Sequence, residues 1–266
     1  MSHYEAVMVR VFQDVYKPGF PRLQFEREDL VKACSTLKIE RIKNIGDIPY
    51  SFRFRKDLPD YIQKTAPEGS EWIITGNGIA KYEFRLASPG KIEPTNNRVK
   101  IIIPDATPKI VKLYAPGTDE QSLLTRIRYN RLVDMFLGLT CYSIQNHLRT
   151  TVESIGQIEV DEIYLGINKR GAHFSIPCQA KSPGDKFGIV QVMQDLLLCQ
   201  KKYPQTICRP IAVQFLGESD VAILELSVQE INDILKLSVV DEKHYSLVQK
   251  SLIDFKVISD RKAYEL

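Results

Sequence analysis

The segment covering residues 157–181 restricts the fold most, because its apolar and polar side chains alternate with a period of two. Such alternation is typical of β-strands, in which successive side chains point to opposite faces. Two extended runs, residues 157–167 and 173–181, are separated by Asn168-Lys169-Arg170-Gly171, which is typical of a tight turn. The sequence therefore predicts a hairpin of two long strands.

The alternation also predicts which side chains share a face of this hairpin. In the second strand, Gln179 and Lys181 lie on one face, whereas the opposite, apolar face holds Phe174, Ile176, Cys178 and Ala180. In the first strand, Glu159 and Asp161 share a face, and the other face carries Val160, Glu162 and Tyr164. We therefore expect an acid to lie across the hairpin from Gln179 and Lys181.

This arrangement resembles the metal site of the PD-(D/E)xK nuclease superfamily, typified by type II restriction endonucleases, over about residues 120–228. In that superfamily, an acid near one strand and an acid-x-lysine motif on the next strand build the site. The resemblance places Asp161 at the first acid and Gln179 at the second acid. Ala180 and Lys181 take the x and lysine positions, and Ala180 is included among the metal ligands. The resemblance implies that the protein hydrolyses DNA phosphodiester bonds with Mg²⁺ as its cofactor, which Mn²⁺ can replace.

The sequence departs from the motif at two positions. Val160 replaces the proline that precedes the first acid, and Gln179 replaces the second carboxylate. An amide oxygen can ligate Mg²⁺ but contributes no charge, so we expect another acid to contribute. Two candidates are Glu159, on the face of Asp161, and Glu153, which resembles the helix glutamate that some superfamily members supply.

A helix is predicted over residues 187–202, directly after the second strand. Its residues Gln191, Gln194 and Asp195 are spaced i, i+3 and i+4, so they share one side of the helix and are expected to face the site. Superfamily members often use a glutamine there. The resemblance therefore adds Gln191 to the catalytic residues, and Gln194 is assigned to DNA binding.

The same order of elements predicts an α/β fold. Apolar runs over residues 210–216 and 221–228 read as strands, so the second half has the order helix, strands, helix, strand. We expect a central mixed sheet flanked by helices, which is the restriction-endonuclease-like core that the resemblance implies.

Residues 1–90 are predicted to form a separate DNA-recognition module. Helices are expected over residues 27–37 and 56–64, followed by a hairpin around Gly76-Asn77-Gly78, whose residues tolerate positive φ. Helices followed by such a hairpin suggest a winged-helix-like α/β module. The candidate DNA contacts at the start of its second helix are Arg53, Arg55 and Lys56. A solvated charged face is the alternative for these residues.

Residues 91–119 are rich in Pro, Gly and Asn and are interpreted as a linker before a catalytic domain over residues 120–266. That domain is predicted to begin with a helix over residues 120–149, with a candidate break near Gly138. Candidate contacts to the DNA backbone on this helix are Arg126 and Arg128. Further helices are expected near residues 228–237 and 245–255.

Composition limits the compartment and the kinds of site. The five cysteines include no C-x-x-C pair and no Cys/His cluster at zinc-finger spacing, which argues against a disulfide framework and a structural zinc site. No stretch approaches the roughly 20 apolar residues of a membrane span, and no export signal is visible. No G-K-[ST] motif marks a nucleotide site. We therefore expect a cytoplasmic protein with no membrane partner and no nucleotide cofactor.

Charge and symmetry complete the expected picture of a DNA-cutting enzyme. Residues 1–150 carry 23 Lys and Arg against 17 Asp and Glu, an excess compatible with a surface that faces phosphates. Cutting two strands of double-stranded DNA requires two active sites, so a homodimer is expected. Two alternatives stay open: a structure-specific repair or recombination nuclease, and a nuclease-fold DNA-binding protein without activity.

Overall fold

A large mixed β-sheet flanked by helices organises the chain. The computed structural model describes residues 1–40, 42–114, 117, 119–152 and 156–249. The helices are α1 (His3–Val15), α2 (Arg27–Thr36), α3 (Asp47–Phe54), α4 (Asp60–Gln63), α5 (Lys109–Tyr114), α6 (Glu120–Tyr129), α7 (Leu132–Leu137) and α8 (Ile189–Lys202). The strands are β1 (Arg22–Glu26), β2 (Glu71–Gly76), β3 (Lys81–Ala87), β4 (Lys91–Ile92), β5 (Lys100–Pro104), β6 (Thr140–Val152), β7 (Gly156–Ile167), β8 (His173–Lys181), β9 (Phe187–Gly188), β10 (Ile207–Cys208), β11 (Ile211–Phe215), β12 (Asp220–Ile231) and β13 (Ile234–Val248). The α/β class expected from the sequence is confirmed.

The strand order of the main sheet is β1-β3-β13-β12-β11-β8-β7-β6. Three further strands pair off this path: β2 with β3, β5 with β13, and β10 with β8. The sheet is mixed, because β8 runs antiparallel to β7 and parallel to β11. The strand β13 touches β3 through the pair Leu235 and Ala87 and pairs along the whole of β5. Residues 91–119, expected to be a linker, thus supply a strand to this sheet.

Both faces of the sheet are covered near β8. On β11, the neighbouring residues Ala212 and Val213 belong to different apolar clusters. One cluster includes Val213 together with residues of α6 and α7, and the other includes Ala212 together with residues of α8. Because Gln179 lies opposite Ala212 in the β8–β11 register, it lies on the face that α8 covers. This is why a polar residue of β8 is buried.

The N-terminal residues confirm one predicted helix and the hairpin. The helix α2 begins at Arg27 as expected, and β2 and β3 enclose the predicted turn. The predicted helix over residues 56–64 is wrong in extent, since only α4 is helical there and α3 precedes it. Pro49 fits in the first turn of α3 because the N–H that proline lacks has no helical partner at that position.

The predicted helix over residues 120–149 is also wrong beyond Leu137. Arg131 and Gly138 adopt left-handed φ angles of 50° and 64°, which end α6 and α7 in turn. From Thr140 the chain becomes β6, the last strand of the main sheet's path in the described residues. The helical apolar spacing thus describes only the first half of the predicted segment.

The helix predicted near residues 228–237 is a β-hairpin instead. The strands β12 and β13 pair antiparallel up to Ile231 and Ile234. Asn232 and Asp233 between them have φ angles of 51° and 63°, as a two-residue hairpin turn of this hand requires. The helix predicted near residues 245–255 is a strand up to Val248, and its end lies outside the described residues.

No helix in the part of the chain that the structure describes is long and apolar enough to span a membrane. The five cysteines are free thiols, of which Cys208 is partly exposed and the others are buried.

Candidate active site

The strands β7 and β8 separate at one end, at a point that we call the fork. Their pairing ends at Glu162 and Cys178, one residue before Asp161 and Gln179. Beyond that point the main-chain N–H of Ala180 donates to Oδ2 of Asp161 at 2.8 Å. A buried N–H group needs a partner, so this carboxylate replaces the missing strand neighbour. The bond holds Asp161 at the fork and leaves its Oδ1 without a hydrogen bond from the described residues.

Gln179 lies in the fork, and hydrogen bonds to Asp195 and to the main chain of β7 hold its side-chain amide nitrogen. Its Nε2 donates to Oδ1 and Oδ2 of Asp195 at 3.0 and 3.1 Å and to the main-chain carbonyl of Glu159 at 3.3 Å. Only 4% of Gln179 is exposed. Because its nitrogen is engaged, Gln179 has its amide oxygen left to offer to a ligand.

Lys181 ends β8 and is followed by a loop with a fixed path. Gln214 pairs with Lys181 in the β8–β11 register, and its Nε2 donates to the carbonyls of Ser182 and Asp185 at 2.6 and 2.9 Å. The loop is therefore anchored to the sheet directly after the lysine. Such anchoring limits the positions that the Lys181 ammonium group can reach.

These residues line one cavity of about 240 Å³, which we call the fork cavity. The structure brings together in it seven residues singled out from the sequence: Arg55, Glu159, Asp161, Gln179, Lys181, Gln191 and Gln194. The four other lining residues are Tyr50, Phe54, Glu120 and Gln157. The predicted hairpin face and the predicted side of α8 thus meet at the same place.

Glu120 is the acidic lining residue that the sequence analysis missed. It is the first residue of α6, whose N-terminus is capped by Asp119 through a 2.7 Å hydrogen bond to the N–H of Ser122. Burial raises the pKa of Glu120, and the negative charge of Asp161 raises it further. The only signal in the sequence was its position at the start of a predicted helix. Nothing local indicated that this helix begins at the fork.

The electrostatics of the fork cavity favour a bound cation. Burial raises the pKa of Asp161, although the Ala180 N–H and the charge of Lys181 act in the opposite direction. Glu120 has a raised pKa for a similar reason. In both acids the main cause is burial, which disfavours the ionised form. A divalent cation beside them would favour the ionised form.

The donor set of the fork cavity fits the ligand preference of Mg²⁺. The described residues contain no group of three or more His, Cys, Asp or Glu side chains that could hold a metal ion. Mg²⁺ does not require such a group, because it prefers oxygen ligands, keeps several waters and is usually bound by one or two carboxylates. The fork cavity offers the carboxylates of Asp161 and Glu120 and the amide oxygen of Gln179.

The other predicted metal ligands have different surroundings. The carboxylate of Glu159 accepts hydrogen bonds from Nε and Nη2 of Arg149 at 3.0 and 2.9 Å, at the exposed edge of the cavity. The side chain of Ala180 is buried in the core, so only its main chain is available to a ligand. Glu153 lies outside the described residues, and the residues just before it form β6 rather than a helix.

The predicted DNA contacts of the N-terminal module lie at the end of α3, not at the start of a helix. The guanidinium of Arg53 packs over the ring of Phe54 at 4.8 Å, and burial lowers its pKa to about 10. Arg55 is exposed, lies over Tyr50 at 5.0 Å and lines the fork cavity. Lys56 is exposed next to it. Of the three, Arg55 is the one that the structure brings to the candidate site.

The two arginines of α6 are engaged within the protein. Arg126 lies over the ring of Phe215 at 5.2 Å and donates to the carbonyl of Glu218. Arg128 donates to the carbonyl of Leu124 at 3.3 Å and lies 3.3 Å from the buried carboxylate of Glu162. Neither lines the fork cavity.

Replacing Glu120 with glutamine is expected to lower any metal-dependent activity of this site by about 10- to 100-fold, the usual effect of losing a group that supports a metal site. The assay is the dependence of activity on Mg²⁺ concentration, which should shift to higher values. Glu28→Gln is the matched control, because Glu28 is an exposed acid in the first turn of α2. Equal effects of the two changes would show that Glu120 acts only on its helix.

No protein-family model, no curated protein and no solved structure matches this chain. The chemistry and geometry of the fork cavity therefore carry the functional inference.

Proposed function

We propose that this protein is a metal-dependent DNA endonuclease with a restriction-endonuclease-like core, and that it acts as a type II restriction enzyme. The proposal depends on one observation: Asp161, Gln179 and Lys181 line a single cavity at the fork between two strands. The same three positions carry the resemblance to the PD-(D/E)xK superfamily.

The acids of the fork cavity would hold the metal ion. Asp161 and Glu120 would bind it through carboxylate oxygens and Gln179 through its amide oxygen, and the main-chain carbonyl of Ala180 completes the proposed set. When bound, Mg²⁺ or Mn²⁺ neutralises charge on the scissile phosphate and lowers the pKa of a coordinated water. In this proposal the acid charge of the site comes from Asp161 and Glu120, because Gln179 is neutral.

Lys181 and the glutamines of α8 would act on the substrate. The ammonium of Lys181 orients the attacking water and stabilises the negative charge that develops on the phosphate. Gln194 is only 5% exposed, and its Nε2 has no hydrogen-bond partner in the described residues. A buried donor without a partner is costly, so a phosphate oxygen entering the cavity is a suitable acceptor for it. Gln191, which is less buried, extends the same row of donors.

The N-terminal residues would supply further contacts to double-stranded DNA. Arg55 lines the fork cavity from the end of α3, so its charge would lie beside the proposed scissile phosphate. We assign the recognition role to the winged-helix-like module of residues 1–90. A homodimer would present two fork cavities, one for each DNA strand. Free cysteines fit the reducing cytoplasm, where we place the enzyme.

Purified protein is expected to cut double-stranded DNA at discrete positions with Mg²⁺ or Mn²⁺ and to be silent in EDTA. The reason is that the proposed site contains oxygen ligands and no covalent nucleophile. Ca²⁺ should support binding without cleavage. Product lengths on sequencing gels give the measurement, and Asp161→Asn protein purified in parallel controls for contaminating nucleases. Undiminished cutting in EDTA would rule out the proposed metal mechanism.

A further inference from the structure

Asp195, in the middle of α8, is a buried acid that forms no salt bridge with the described residues. It is 1% exposed, and both of its oxygens accept hydrogen bonds from Nε2 of Gln179. Burying a carboxylate is costly unless it is paired and hydrogen-bonded. Asp195 therefore depends on Gln179 for its compensation, and the identity of residue 179 is coupled to that of residue 195.

The contact also sets the direction of the Gln179 amide. In the structure, Nε2 of Gln179 lies within hydrogen-bond distance of both oxygens of Asp195, so the amide presents its nitrogen there and turns Oε1 away, toward the fork cavity that it lines. Burial raises the pKa of Asp195, and the hydrogen bond from Gln179 opposes that rise because it favours the ionised form, which only accepts hydrogen bonds. An asparagine at position 195 would accept either orientation of the amide, since it carries both kinds of group.

We propose that Asp195 is a positioning residue that fixes Oε1 of Gln179 toward the fork cavity, and that the pair Gln179–Asp195 replaces the second carboxylate of the nuclease motif. The metal-binding half of this inference rests on the proposed function. The carboxyl group that the motif usually places at residue 179 is then located behind it, at Asp195. This explains why glutamine, rather than an acid, occupies the motif position.

The pairing predicts that a carboxylate at residue 179 is tolerated only when residue 195 becomes an amide. In Gln179→Glu, two carboxylates would face each other about 3 Å apart in a buried place, where like charges are strongly unfavourable. In the double variant Gln179→Glu with Asp195→Asn, the hydrogen bond is restored with its direction reversed. The introduced amide donates, and the introduced carboxylate accepts.

The first test is thermal unfolding of the metal-free, full-length protein and its variants. We expect Gln179→Glu to lower the unfolding midpoint by about 10 °C, whereas Asp195→Asn alone should change it by less than about 3 °C, because asparagine can still accept a hydrogen bond from Gln179 and no longer buries a carboxylate. The double variant should unfold within about 3 °C of the wild type, although the first substitution alone is severe. If Gln179→Glu fails to fold, recovery of a folded protein by the second substitution is the supporting result.

The matched control is Gln157→Glu, which adds the same charge at an exposed position of the same cavity. Asp195→Asn should not rescue any loss of stability that this change causes. The pairing would be overturned if the double variant of Gln179 and Asp195 lost as much unfolding temperature as the two single variants together. Equal rescue at residues 157 and 179 would overturn it as well, because the effect would then be general charge relief.

The second test separates positioning from stability by titrating Mn²⁺ calorimetrically without DNA. Asp195→Asn should keep its fold but bind Mn²⁺ about tenfold more weakly, because the Gln179 amide is free to turn its nitrogen to the cavity. The double variant should bind more tightly than Asp195→Asn. Unchanged affinity in Asp195→Asn would overturn the positioning role. Absence of Mn²⁺ binding by the wild type would instead contradict the proposed function, while the unfolding data still decide the pairing.

Discussion

Asp161→Asn is expected to lower the rate of DNA cleavage by about a thousandfold or more, with DNA binding retained. Asparagine keeps the shape of the side chain, and its oxygen can still accept the 2.8 Å hydrogen bond from the Ala180 N–H. The lost feature is the carboxylate charge that would hold the metal ion. Cleavage is measured in single-turnover reactions with Mg²⁺, and binding is measured by gel shift in Ca²⁺.

Glu159→Gln is the matched control for this variant. Glu159 lies on the same strand face and lines the same cavity, but its carboxylate is exposed and bonded to Arg149. We expect its removal to change cleavage by less than about tenfold, as exposed pairs contribute little. The reverse ranking, with Glu159 essential and Asp161 dispensable, would move the metal site to the cavity edge.

The Asp161→Asn change has a second expected effect, on the stability of the fold. Burial raises the pKa of Asp161, so the folded state disfavours its ionised form. Ionised Asp161 therefore lowers the stability of the folded state. This loss of stability is absent at a pH below the ordinary pKa of aspartate and grows as the pH rises through the raised pKa. Metal-free Asp161→Asn should therefore unfold at a higher temperature than the wild type at neutral pH, and the difference should shrink in acid. A lower midpoint at neutral pH would contradict this account.

The site could be predicted in part because strand alternation is a local property. The pattern around Gln179 and Lys181 assigned them to one face, and Ile176, Cys178 and Ala180 to the other. The structure has these faces because the second set packs against α6 and α7. Period-two spacing therefore predicts which side chains share a face, even when the helices that pack on that face are not known.

The features of the site that the sequence did not predict depend on contacts between distant segments. Glu120 reaches the fork because α6 packs across β8, and the sequence pattern does not show which end of a helix lies over which end of a strand. The orientation of the Gln179 amide is likewise set by Asp195 on another element. The helical spacing predicted that Asp195 faces the site, but it gave no indication of the hydrogen bond to Gln179.

The incorrect helix predictions have a simpler cause. The helical apolar spacing that begins in α6 continues past Gly138, although left-handed residues at Arg131 and Gly138 end α6 and α7. Apolar residues flank the turn at Asn232 and Asp233 on both sides, and this spacing favours a helix where the chain turns. In both places, a short irregular turn decides the structure, and apolar spacing averages over it.

Lys181→Ala is the second change with a large expected effect, a loss of cleavage of about 100- to 1,000-fold. The proposed ammonium group acts on the attacking water and on the phosphate, so its loss affects the chemical step rather than the fold. Lys186→Ala is the matched control, because Lys186 is an exposed lysine five residues further along and does not line the fork cavity. Its cleavage rate should stay close to that of the wild type.

Metal binding distinguishes the two inactive variants. The charge of Lys181 opposes the rise in pKa of both Asp161 and Glu120, which shows that it acts on the same acids that would hold the ion. Its removal takes a positive charge away from the cavity, so Lys181→Ala should bind Mn²⁺ at least as tightly as the wild type, while Asp161→Asn binds it much more weakly. If both variants lost Mn²⁺ binding equally, Lys181 would be maintaining the shape of the cavity instead of acting on the substrate. A Lys181→Ala protein that cleaves at the wild-type rate would remove the lysine from the proposed mechanism.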